Sequence, residues 1–202
     1  MDEPPATAAS VAPARSVVFA FMNICGTFEQ AHMDRQARHY GFVPVQTSRL
    51  PPDVAATLRQ VGDATYIRAV PDSNVRALVT WNSEASRCTF LVGGVDPAEV
   101  EREFVSLTER LGTGALAIQR ITPEQVAQIN QRGRPSTQLR QGVVLGPRPP
   151  AMGRRASISM AIHSGPDVAL PVSLIYGPYL EAPLPPGPPG GASRPTASPL
   201  RI

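Results

Sequence analysis

Apolar and polar residues alternate along two neighbouring stretches of the chain, residues 75–81 and 87–92. A period of two residues is typical of strands with one buried face, so both stretches are predicted to be strands joined by a turn. A different spacing follows, with Val100, Phe104 and Leu107 recurring every three or four residues behind Asp96-Pro97. That spacing and that start predict an amphipathic helix over 96–111, whose apolar stripe needs a sheet face to cover.

The remaining patterns complete an α+β fold. Residues 16–25 are apolar but too short a run to separate helix from strand. Helices are predicted at 28–40, 53–61 and 122–130, and further strands at 64–70, 115–121, 156–163 and 168–176. Pro171 indicates an edge position for the last strand. We therefore expect a single domain with an antiparallel sheet of about five or six strands and helices packed on one face, those at 28–40 and 96–111.

Composition sets the limits of this domain. Residues 1–14 are predicted to be a disordered leader, and residues 181–202, which are rich in proline, a disordered tail. The domain is expected to occupy 15–180, with a basic irregular loop at 131–155 that lacks periodicity. No apolar run approaches the roughly 20 residues of a transmembrane helix.

Charge is distributed unevenly along the chain. All 19 basic residues are arginine, and the net charge of +3 combines 10 Arg and 13 acids in residues 1–112 with 9 Arg and 3 acids in residues 113–202. The predicted loop contains six arginines and no acid, namely Arg132, Arg134, Arg140, Arg148, Arg154 and Arg155. These arginines are candidates for binding an anionic polymer or protein partner, and the alternative interpretation is a solvated loop that is basic without a partner. The loop has no aromatic residue to stack on bases, which disfavours a nucleic-acid function.

The chain contains two cysteines, Cys25 and Cys88. Cys88 is predicted on the inward face of its strand, and Cys25 ends an apolar element that would pack on that face. This placement favours a disulfide between them, and the alternative is two free buried thiols. Neither cysteine has a histidine beside it in the sequence, which disfavours a catalytic thiol.

Residues 17–111 resemble a family of small uncharacterised exported proteobacterial proteins. The matching residues are Cys25, Ala37, the run Gly41-Phe42-Val43-Pro44, Trp81 and Cys88. This resemblance implies a periplasmic location and a Cys25–Cys88 bond, and it brings no known activity.

The function expected from these observations is that of a non-enzymatic exported protein of the cell envelope, acting by interaction. Two alternatives stay open: an enzyme whose site is assembled from distant residues around Cys25, His32 or His163, and a cytoplasmic nucleic-acid-associated protein. No motif indicates a catalytic set, a metal site or a cofactor.

Overall fold

The computed structural model describes residues 13–50, 52–69, 74–113, 116–147, 153–165 and 168–179. The helices are α1 (Pro13–Cys25), α2 (Gln30–His39), α3 (Pro52–Val61), α4 (Pro97–Leu111) and α5 (Pro123–Arg132), with a 3-10 turn at Thr47–Arg49. The strands are β1 (Val43–Pro44), β2 (Ala64–Ala69), β3 (Arg76–Asn82), β4 (Arg87–Gly93), β5 (Leu116–Arg120), β6 (Thr137–Pro147), β7 (Ala156–His163) and β8 (Val172–Pro178). The predicted tail, and the predicted leader except Pro13 and Ala14, lie outside the described residues.

The α+β fold with one antiparallel sheet is confirmed, but in the described part of the chain the sheet has eight strands rather than five or six. Its order is β1-β2-β3-β4-β8-β7-β6-β5, and all neighbours are antiparallel. The prediction of an irregular loop over 131–155 is wrong at its centre, because Thr137–Pro147 is the 11-residue strand β6. The edge position predicted from Pro171 is also wrong. This proline lies just before β8, which pairs with β4 on one side and β7 on the other.

From either edge of the sheet to its centre, the strands follow one another in chain order: β1 to β4 from one edge and β5 to β8 from the other. The first half of the chain runs α1, α2, β1, α3, β2, β3, β4, and the second half runs α4, β5, α5, β6, β7, β8. Each half therefore contributes a helical start, an edge strand, a short helix and a three-strand meander. The halves meet where β4 pairs with β8, so the topology has an approximate twofold relation about this seam.

The core lies between this sheet and helices α1, α2 and α4. Helix α1 contacts α2, α4, β4 and β8, while α4 also contacts β6 and β7. The apolar spacing of α1 places Phe21 and Ile24 in the core, where the Phe21 ring meets the Phe90 ring edge-on at 6.2 Å. Helix α4 buries Val100 and Phe104 and starts as predicted, with the Asp96 carboxylate accepting a hydrogen bond from the Ala98 amide at 2.9 Å.

The disulfide between Cys25 and Cys88 is confirmed and joins α1 to β4. The two Cα atoms are 5.4 Å apart, and both cysteines are buried. Cys88 lies opposite Trp81 on β3 and Tyr176 on β8. The crosslink therefore ties the first helix to the middle of the sheet.

Candidate anion-binding cleft

Helix α5 forms one wall of a cleft at the β5–β6 edge of the sheet, and its start is fixed by a capping box. The Thr122 hydroxyl accepts a hydrogen bond from the Gln125 amide at 3.3 Å, and the Gln125 side-chain oxygen accepts one from the Thr122 amide at 2.9 Å. Two backbone donors that a helix start would leave without partners are thereby satisfied. The Gln125 side-chain nitrogen takes no part in the box and keeps both its donors.

Polar contacts, rather than a buried apolar stripe, hold α5 against β6. The Asn130 side chain donates to the Leu139 carbonyl at 3.0 Å and accepts from the Leu139 amide at 2.7 Å. No residue of α5 is buried, and Ile129 is 47% exposed. Ile129 is therefore an exposed apolar side chain on the wall of the cleft. Apolar walls of this kind are typical of ligand-binding pockets.

The cleft has a volume of about 300 Å³, at the lower end of the range for small-molecule and peptide pockets. Its apolar part consists of Ile121, Ile129 and Val144. Its polar part consists of three amides, two guanidinium groups and one phenol, contributed by Gln119, Gln125, Gln128, Arg120, Arg132 and Tyr179. No carboxylate lines it among the described residues, so the cleft presents donors and positive charge around an apolar floor.

A third guanidinium, that of Arg155, is positioned beside the cleft by two of the residues that line it. Its Nη2 donates to the Gln119 side-chain oxygen at 3.0 Å, and its plane lies 4.5 Å from the centre of the Tyr179 ring. The Tyr179 amide in turn donates to the Arg155 carbonyl at 2.9 Å. The aliphatic stem of Arg155 lies over Gly146 on β6, where a Cβ would come within 3.3 Å of it.

The charges around the cleft are only partly balanced. Arg120 forms an ion pair with Glu109 of α4 at 3.0 Å, but both side chains are about half exposed, so the pair is screened by water. Arg132, in the last turn of α5, has no ion pair within the described part of the chain. The single acid of α5, Glu124, precedes Arg132 by eight positions, roughly 12 Å along the helix. The excess charge at the C-terminal end of α5 is therefore positive.

The structure separates the six arginines predicted to bind anions. Arg132 lines the cleft and Arg155 lies beside it, whereas Arg140 forms an ion pair with Glu101 of α4 at 3.4 Å. Glu101 also accepts from the Gln141 side chain at 2.8 Å. The other predicted members are exposed or outside the described residues: Arg134 and Arg154 are exposed, and Arg148 is not described.

The residues considered for an enzyme site are not brought together. The Nε2 atom of His32 is 2.9 Å from the Asn23 carbonyl. The Cys25 sulfur is bonded to Cys88 and offers no thiolate. His163 ends β7, with Nδ1 3.1 Å from the Thr137 hydroxyl. Burial lowers the pKa of His163 below its ordinary value of 6.5. In the described part of the chain, no three histidine, cysteine or acidic side chains could share a metal ion, and no helix is long and apolar enough to cross a membrane.

Sequence reasoning missed most of the residues that line the cleft, although one signal was present. Gln125, Gln128, Ile129 and Arg132 are spaced i, i+3, i+4 and i+7, which places them on one face of α5. Tyr179 carried no such signal, because its contact with Arg155 depends on the pairing of β7 with β8.

Comparison of the chain with protein-family models, curated proteins and solved structures finds no significant match.

Proposed function

We propose that this chain is an exported, non-enzymatic interaction protein of the cell envelope that binds an acidic segment of a partner protein in the α5 cleft. The observation that supports this proposal most directly is the grouping of Arg132 and three glutamine side chains around an apolar floor, with Arg155 beside them and no carboxylate among the described residues that line the cleft. Guanidinium groups bind carboxylates through paired hydrogen bonds, and these charge-assisted bonds are stronger than neutral ones.

A peptide fits this cleft better than a nucleic acid does. The amides of Gln125 and Gln128 offer both donors and acceptors, which match the backbone of an extended peptide. The exposed Ile129 and the buried Val144 give an apolar side chain of the partner a surface to cover. Tyr179 is already stacked against Arg155, so its ring is not free on both faces to receive a base.

The disulfide supports an oxidising compartment for this function. Structural disulfides persist in exported proteins and are rare in the reducing cytosol. Thiol titration of the denatured protein, purified without reductant from its native host, measures this directly. We expect no free thiol, and two free thiols in that preparation would contradict export.

Binding is tested with a labelled peptide in which glutamates flank a central leucine, followed by fluorescence anisotropy at low and physiological salt. We expect Arg132→Gln to weaken binding by about tenfold, the loss of one charge-assisted hydrogen bond. The matched control is Arg134→Gln, which removes the same charge two residues away, outside the cleft, and should change the affinity less than twofold. A version of the peptide with glutamine in place of glutamate should bind at least tenfold more weakly.

Two outcomes would contradict the proposal. Equal losses for Arg132→Gln and Arg134→Gln would mean that only the overall charge of the protein matters. Tighter binding of single-stranded DNA than of the acidic peptide, with a steep dependence on salt, would favour the nucleic-acid alternative instead.

A further inference from the structure

A second cavity lies at the other end of the sheet, between the first half of α1 and strands β2, β3 and β4. Its volume is about 320 Å³. Its walls are apolar except for Ser16 and Arg68, and the main contributors are Val17, Ala20, Phe42, Ala77 and Phe90. The Phe42 and Phe90 rings meet edge-on with centroids 5.8 Å apart, so this wall is rigid and aromatic. We call this cavity the Arg68 pocket.

Arg68 is the charged group of the pocket, and it is partly buried. The described residues give it neither an ion pair nor a hydrogen bond. Asp34, an acid on the neighbouring helix α2, forms no ion pair with Arg68. A guanidinium has five donors and no acceptor, and beside an apolar wall its charge is poorly solvated. The guanidinium of Arg68 therefore has no partner among the described residues and can bind an anion through charge-assisted hydrogen bonds.

We propose that the Arg68 pocket binds a carboxylate with a single alkyl chain. The alkyl chain packs against Val17, Ala20 and Phe90, and the carboxylate binds Arg68. A water molecule occupies roughly 30 Å³ of liquid and a methylene group is of similar size, so the cavity holds a chain of on the order of ten carbons. The site is independent of the α5 cleft, since it lies in the first half of the chain and shares no residue with it.

The probe for this site is decanoate, titrated into the full chain by isothermal calorimetry. We expect saturable binding of one decanoate per chain. Decanol, which has the same chain without the charge, and butyrate, which has the charge without the chain, should each bind at least about tenfold more weakly. The absence of saturable decanoate binding would overturn the proposal.

Variants separate the contribution of Arg68 from that of the cavity. Arg68→Gln should weaken decanoate about tenfold and leave decanol unchanged, while Arg68→Lys should restore part of the decanoate affinity. The matched control is Arg76→Gln, because this exposed arginine neighbours Ala77 on β3 but faces the other side of the sheet. Equal losses for Arg68→Gln and Arg76→Gln would refute a carboxylate site.

Substitutions that fill the cavity with a larger side chain test where the alkyl chain of the ligand binds. Ser16→Trp, at the exposed end of the pocket, and Ala20→Leu, in its wall, should each abolish binding of both decanoate and decanol. The circular dichroism spectrum of each variant establishes that it is folded. Unchanged decanoate affinity in a folded variant of either kind would place the ligand elsewhere and overturn the assignment.

Discussion

The bond between Cys25 and Cys88 should contribute a large share of the stability of this protein. It closes a span of 63 residues, which contains α2, α3 and the strands β1 to β3. In the chain-entropy model a crosslink of this length disfavours the unfolded state by about 4 kcal/mol at 25 °C. Single domains are typically stable by only about 5–15 kcal/mol, so reduction should shift the unfolding midpoint strongly.

The measurement is urea unfolding of the oxidised protein and of the same protein kept reduced. The reduced chain retains both sulfur atoms in place, so the difference in the free energy of unfolding reports the crosslink alone. The double variant Cys25→Ala/Cys88→Ala should be less stable than the reduced chain, because both positions are fully buried and lose packing. A difference below about 1 kcal/mol between the oxidised and reduced proteins would refute the entropic reasoning.

Two further substitutions test polar groups in the interior. The hydroxyl of Thr80 on β3 is fully buried and has no hydrogen-bond partner among the described residues, so Thr80→Val should raise the free energy of unfolding by about 1 kcal/mol. A loss of stability in urea would show that the hydroxyl is satisfied. For His163, whose pKa is lowered by burial, the unfolded chain takes up a proton below the ordinary pKa of 6.5 that the folded chain does not. Stability should therefore fall as the pH drops from 6.5 through the folded pKa, and His163→Asn should flatten this dependence in urea titrations at several pH values. Equal slopes for wild type and variant would contradict the assignment.

The parts of the fold that were predictable are those in which a single face is buried. The alternation in β4 reflects a sheet face covered by helices, and the stripe of α4 reflects a helix that covers it. Strand β3 was predicted from the sequence alternation of Ala77, Val79 and Trp81, although Leu78 and Thr80 on its other face are buried as well. Strand β6 was missed because Val143, Val144 and Leu145 are all buried, so both faces are covered and the two-residue period disappears. Gly142 and Gly146 resemble loop residues in the sequence, yet they are small because Ile121 and Arg155 occupy the space of their side chains.

The candidate cleft was only partly predictable, because its residues come from distant parts of the sequence. The basic character of the segment pointed to Arg132 and Arg155, but the sequence could not show that Arg140 would form an ion pair with Glu101, 39 residues away. Gln119 and Tyr179 join Arg155 only because β5, β6, β7 and β8 lie side by side. Contacts between distant residues of this kind follow from topology, which local patterns do not determine.

The seam between β4 and β8 has a consequence for how the chain folds. Every other strand pair joins consecutive strands, whereas this pair brings Val92 to Val172 and Cys88 to Tyr176. Closing so long a segment is entropically costly, and pairings of high contact order form slowly. The disulfide lies wholly within the first half and shortens no part of that segment. We therefore expect the joining of two preformed meanders to limit the folding rate, whether the cysteines are oxidised or reduced.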